Sequence, residues 1–131
     1  FNQFAAQAGK KYPVYAATMQ QMWEQRREHF AMLHQSGVQL LPGTDSGGYQ
    51  SHGDLGRELS LWERGGVSPH EIIDFATWRA RDYLGIGALE PGARADYLRY
   101  SSDPTGEAAR ATKPEKVALL GQEFSPAAAV S

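Results

Sequence analysis

A carboxylate at the end of a short apolar run is the residue of this sequence best placed to do chemistry. Gly37-Val38-Gln39-Leu40-Leu41-Pro42-Gly43-Thr44 leads into Asp45, and Ser46-Gly47-Gly48 follows. A strand that delivers an acid at its C-terminal end, into a glycine-rich loop, is how a parallel α/β enzyme presents a catalytic group. The same Thr-Asp-Ser-Gly stretch also suits a turn in which the aspartate bonds its own backbone amides. The elements around Asp45 have to separate these readings.

Other chemistries are poorer fits. Asp45-Ser46-Gly47-Gly48 echoes the loop that carries the nucleophile in trypsin-like serine proteases. Here the preceding residue is Thr44, the context is not all-β, and no His or Asp has the appropriate setting. A phosphate cradle over 42–48 lacks the Lys-Ser/Thr ending of a P-loop. His29 and His34 are five positions apart, off the i, i+4 spacing of a helical metal pair, and read as solvated. His70, in the first turn of a helix, reads as structural. Trp23, Trp62 and Trp78 fall near helix faces and read as packing residues rather than a platform for sugars or bases.

The elements that would position Asp45 follow from periodicity and caps. Met19, Met22, Trp23, Phe30 and Leu33 share a helical face, with Thr18-x-x-Gln21 as a capping box and Gly37 as the stop. Val38 to Leu41 is short and apolar, as expected of a strand buried on both faces. Past the glycine loop, Asp54 can cap a helix bearing Leu55, Leu59 and Trp62, ended by Gly65-Gly66. Ser68-Pro69-His70-Glu71 combines an N-cap, a first-turn proline and a reciprocal glutamate. Ile72, Ile73, Ala76, Ala80, Tyr83 and Leu84 continue that helix to Gly85. Extended segments are expected over 95–100 and 116–120, while 108–113 is open between a loop and a helical turn.

Composition sets outer bounds. The chain has 131 residues, 13 basic and 15 acidic, for a net charge of -2, and no cysteine. Neither sign forms a block, which argues against nucleic-acid and acidic-membrane partners. Without cysteine, a metal would be held by His, Asp or Glu. No apolar run reaches the ~20 residues of a membrane span. Phe1 opens the chain without a start Met or leader pattern, so the expectation is a piece of a longer product, with a cytoplasmic home compatible.

In order along the chain, four blocks resemble the C-terminal part of an amidohydrolase-superfamily enzyme, most similar to imidazolonepropionase-like and Xaa-Pro-dipeptidase-like members. They are Gly37-Val38 through Gly43-Thr44-Asp45; Leu55-Gly56-Arg57-Glu58-Leu59 with Gly66-Val67-Ser68-Pro69-x-Glu71; Ala76-Thr77 with Ala80 and Leu84-Gly85; and Gly87-x-Leu89-x-x-Gly92-x-x-Ala95-Asp96 with Asp103-Pro104. The match runs from about Met19 to Phe124. Arg79 stands where the family usually has Asn, and Tyr97-Leu98-Arg99-Tyr100 replaces a smoother apolar strand.

The resemblance implies an α/β fold, the C-terminal portion of a (β/α)8 barrel plus strands of a flanking small β-domain. A whole barrel takes roughly 250 residues, more than are present. By this reading residues 1–86 are the end of the barrel, with its last strand over about 38–41, 87–124 are part of the β-domain, and 125–131 are a frayed tail. Resemblance also implies that Asp45 binds a divalent metal, Zn2+ above all, and takes the proton from the attacking water in C-N bond hydrolysis. His52 and Tyr49, in the loop past Asp45, are the candidate substrate contacts. The family's other ligands, a His-x-His pair, a middle Lys or Glu and two more histidines, would lie upstream, and no His-x-His occurs here. The expected partners are a small-molecule or short-peptide substrate, the rest of the barrel from a longer parent or another chain, and copies of itself in a homo-oligomer. The fragment alone should be inactive and poorly stable. The alternative is a non-catalytic binding module that retains this fold segment.

Overall fold

The computed structural model describes Gln7, residues 11–48 and residues 51–126. Backbone contacts divide the chain into two compact units, Phe1–Val38 and Gln39–Ser131.

Among the described residues the first unit includes the helices α1 (Pro13–Glu24) and α2 (Arg26–Gln35). The sequence pattern predicts one helix starting at Thr18. It starts a turn earlier because Pro13 occupies the first helical position, where its missing N-H costs no bond. Thr18 is therefore interior, its Oγ1 donating to the Val14 carbonyl at 3.1 Å, and the expected capping box does not form. Gln25, at φ -87° and ψ 0°, interrupts the helix. Arg26 covers the break, its guanidinium 4.0 Å above the Trp23 ring and donating to the Trp23 carbonyl. Gly37, at φ +73°, stops α2 as its lack of a Cβ allows. Neither helix buries a residue, so the apolar stripe with Met22, Trp23 and Leu33 stays exposed.

The expected strand over 38–41 does not form: those residues have no strand pairing. A strand exists only through its ladder partners. The strands found among the described residues pair with each other near the C-terminal end. Leu40, Leu41 and Pro42 are instead half-buried in irregular backbone.

Helix α3 (Leu55–Arg64) runs as its pattern predicts, burying Leu59 and Trp62 and ending at Gly65. Asp54 stands at its N-cap without a capping bond and pairs with Arg57 at 3.5 Å. Helix α4 (Pro69–Ala76) begins as expected, the Ser68 hydroxyl accepting from the Glu71 amide at 3.3 Å. The stripe to Gly85 is not one helix. Thr77, at φ -123° and ψ -85°, breaks it, its Oγ1 donating to the Ile73 carbonyl at 2.6 Å. Back-bonding of this kind competes with the helix ladder. A short α5 (Trp78–Tyr83) follows. Arg79 reaches back across the break to Asp74 at 2.8 Å and lies 4.2 Å above the Phe75 ring.

Strands β1 (Tyr97–Arg99), β2 (Lys116–Leu119) and β3 (Gln122–Phe124) form an antiparallel sheet in that order. The register pairs Leu98 with Val117 and Ala118 with Glu123. Between β1 and β2 the chain makes 3-10 turns over Pro104–Gly106 and Ala108–Thr112, which resolves the ambiguous stretch as helical. The core gathers Leu59, Trp62, Val67, Ile72, Phe75, Ala108 and Ala118. Trp62 meets Phe75 edge-on at 5.7 Å and donates its indole N-H to Glu58 at 2.8 Å. Of the three tryptophans only Trp62 is core; Trp23 and Trp78 are exposed.

Candidate functional site

Asp45 sits on a loop built to expose it. After Pro42 and Gly43 the backbone turns left-handed at Asp45, with φ +49°, and again at Gly47 and Gly48, with φ +114° and +60°. Aspartate is among the few non-glycine residues that tolerate this region. The hydroxyls on either side of it, Thr44 Oγ1 and Ser46 Oγ, hydrogen-bond to each other across the acid. Asp45 itself is exposed, and among the described residues it makes no hydrogen bond or ion pair.

Asp103 shows what a turn aspartate looks like in the same chain. One carboxylate oxygen, Oδ1, accepts from the Thr105 amide at 2.8 Å and from the Thr105 hydroxyl at 2.7 Å. These bonds, the hydroxyl's first, hold the Asp103 carboxyl below the ordinary aspartate range, against a small opposing effect of burial. Asp45 has no such self-bonding among the described residues, so the turn reading belongs to Asp103. The carboxylate of Asp45 remains uncommitted.

The other candidates are more loosely placed. His52 is exposed in the turn before α3, and no hydrogen bond joins it to Asp45. Tyr49 lies outside the described residues. His29 and His70 are exposed, and His34 is half-buried. Sequence reasoning gave Thr44 no part and weighed Ser46 only as a protease nucleophile. The signal that could have paired them is two hydroxyls flanking one acid in a glycine loop.

A metal fits this chain in part. The Asp45 carboxylate is a hard, solvent-facing donor of the kind that holds Zn2+ or another divalent ion. Among the described residues, however, no three His, Asp or Glu side chains come close enough to hold an ion together. About three protein ligands are needed for a catalytic zinc, so these residues do not assemble the centre by themselves.

A cavity of about 490 Å³ lies elsewhere, between α4, α5 and β1, and excludes Asp45 and His52. Ile73, Trp78, Leu84, Leu89 and Leu98 give it an apolar wall. Among its polar neighbours Thr77 bonds Ile73, Tyr97 bonds Glu123 and Tyr100 bonds the Ala111 carbonyl, whereas Arg81, whose Nε donates to the Gly87 carbonyl at 2.8 Å, has a buried Nη2 with no hydrogen-bond partner among the described residues. Asp96 is held by Arg94 at 2.7 Å and by the Leu120 amide at 2.7 Å. The hollow is mainly apolar, and Arg81 Nη2 is the buried side-chain nitrogen left unpartnered among the described residues.

The chain belongs to the amidohydrolase family, whose sequence model matches residues 10–121. Among curated proteins it is similar to an uncharacterized protein of Mycobacterium bovis and to uncharacterized proteins of two strains of Mycobacterium tuberculosis. Each is 35% identical over 121 residues, covering 92% of this chain and 33% of the relative. The chain thus spans about one third of the length of the curated relatives it matches. No solved structure matches it. Members of this family are generally hydrolases that bind divalent metals, and the family architecture is a TIM-barrel-type fold. The described residues themselves form helices and a small antiparallel sheet. No helix among them is long and apolar enough to cross a membrane.

Proposed function

We propose that this chain is the closing part of a metal-dependent amidohydrolase that cleaves C-N bonds in an amide, peptide or cyclic amide. The observation that carries the proposal is the exposed, uncommitted carboxylate of Asp45 in a left-handed turn at the end of the apolar run 38–41. In this reading residues 1–86 belong with the barrel and 87–124 with its flanking β-domain. The remaining ligands and most of the substrate pocket come from a longer parent polypeptide or another chain, within a homo-oligomer.

When bound, a divalent metal, Zn2+ in this proposal, would polarise the attacking water and lower its pKa to about 7. Asp45 would contribute to holding the ion and would take the water's proton as general base. A small-molecule or short-peptide substrate would lie beside Asp45, with His52 and Tyr49 as its contacts. Alone, residues 1–131 are inactive because one carboxylate does not retain a catalytic ion. A second reading, a binding module without catalysis, draws on the missing three-ligand cluster among the described residues.

Calorimetry with Zn2+ on residues 1–131, on a longer parent polypeptide, and on the Asp45→Asn form of each separates the readings. Tight binding by the parent that is lost with Asp45→Asn, and none by residues 1–131, is the expected result. Tight binding by residues 1–131 alone, or binding by the parent that ignores Asp45→Asn, rejects the proposed mechanism.

A further inference from the structure

We propose that the hollow between α4, α5 and β1 is a ligand site for an organic monocarboxylate with an apolar body, whose carboxylate pairs with Arg81. The proposal is independent of the role given to Asp45, which lies outside this hollow. Three observations carry it. The hollow holds about 490 Å³, within the range of small-molecule pockets, and the residues lining it all belong to the second compact unit. Ile73, Trp78, Leu84, Leu89 and Leu98 make its wall mainly apolar. Arg81 stands in that wall with Nη2 shut off from solvent and without an acceptor among the described residues.

The rest of the guanidinium is spent on holding it in place. Nε donates to the Gly87 carbonyl at 2.8 Å, and Nη1 to the Asp96 carbonyl at 3.5 Å. Both acceptors are neutral, and no carboxylate forms an ion pair with Arg81 among the described residues. A guanidinium keeps its charge in proteins, and a charged donor left buried and unpaired costs more than a neutral one. The missing complement is an oxygen acceptor with a single negative charge. A carboxylate supplies it, and the apolar wall takes the hydrocarbon attached to it. A dianion such as a phosphate ester fits less well, because Arg81 is the one basic side chain among the described residues lining the hollow, and Asp96 lines it too. The Asp96 carboxylate does not answer Arg81, since Arg94 at 2.7 Å and the Leu120 amide at 2.7 Å already hold it. A ligand reaches Nη2 by turning a wall side chain aside, and Leu84 and Leu89 are exposed, so they can turn without opening the core.

The test uses the full polypeptide that carries this sequence, with octanoate, octan-1-ol and acetate as probes in calorimetry. Octanoate is expected to bind, octan-1-ol to bind about 10- to 100-fold more weakly for want of the charge, and acetate not to bind for want of the body. Arg81→Met should weaken octanoate to the level of octan-1-ol while leaving octan-1-ol unchanged, which also shows that the hollow survives the substitution. Ala80→Phe, which fills the hollow and keeps Arg81, should abolish binding of both. Asp45→Asn should leave octanoate affinity unchanged. No octanoate binding to the unsubstituted protein, as when another part of the polypeptide fills the hollow, overturns the proposal. Octan-1-ol that binds as tightly as octanoate overturns it without recourse to any variant, and that comparison decides if Arg81→Met loses both probes. Octanoate binding that is unchanged in Arg81→Met, persists in Ala80→Phe or falls with Asp45→Asn places the carboxylate elsewhere and overturns it as well.

Discussion

Gly56 approaches Thr112 so closely that a Cβ built on the glycine would stand 2.8 Å from Thr112 Oγ1. The pair marks where α3 lies against the 3-10 turn Ala108–Thr112, a contact also tied by the Ala108 amide donating to Glu63 at 3.3 Å. Thr112 Oγ1 is not free to move aside, because it donates to the Ala109 carbonyl at 2.9 Å and sits on a β-branched side chain.

Gly56→Ala therefore pits two effects against each other. Alanine gains about 1 kcal/mol of helix propensity over glycine, and overpacking costs about 1–3 kcal/mol. The contact falls at 2.8 Å, too short to absorb without displacing α3, so the net change should be a loss of about 1 kcal/mol. Adding Thr112→Ala removes the opposing oxygen, and the double variant should recover stability beyond the sum of the single changes. Urea melts of the four proteins supply that double-mutant cycle. Strict additivity would rule out the steric account.

Leu120 and Gly121 form the two-residue turn between β2 and β3, with φ +52° and +80°. Turns with two left-handed residues favour Asn-Gly, and Leu120 is 73% exposed, so its side chain contributes little packing. Leu120→Asn is expected to raise stability by about 0.5–1 kcal/mol. A melting temperature at or below the parent's would mean that the Leu120 side chain has a contact of its own.

Tyr100 donates its hydroxyl to the Ala111 carbonyl at 2.6 Å, and burial pushes its pKa above 10.0. Tyr100→Phe should cost about 1 kcal/mol near neutral pH from the lost bond. A phenol whose folded pKa is raised adds stability below its unfolded value, and that stability is lost as pH rises through the folded one. The parent's advantage over Tyr100→Phe should accordingly shrink above pH 10.0. An advantage that is flat with pH would show that the phenol does not sense folding.

Asp103 has the opposite sign. Its folded pKa is lowered by the Thr105 hydroxyl, then by the Thr105 amide, so its contribution is present above the ordinary aspartate value of 3.8 and lost as pH falls through the folded value. Asp103→Asn should be less stable than the parent at neutral pH and converge with it in strong acid. Parallel stability curves would remove Asp103 from the acid limb.

The sequence by itself determined what depends on a few neighbouring residues. Ser68, Pro69 and Glu71 start α4 because an N-cap closes within one turn, and Leu59 and Trp62 bury one face of α3 because helical periodicity is local. Four short blocks carried the family, and Asp45 stood out by type and place. The tertiary structure decided what depends on partners. Residues 38–41 are apolar enough for a strand, yet no strand partner meets them among the described residues. β3 had no pattern of its own and exists because the Leu120-Gly121 turn folds it onto β2. The breaks at Gln25 and Thr77 lie in otherwise helical patterns, where the choice of a carbonyl partner outweighs periodicity. The Thr44-Ser46 hydrogen bond belongs with these, since it joins two hydroxyls across a backbone that turns left-handed at Asp45.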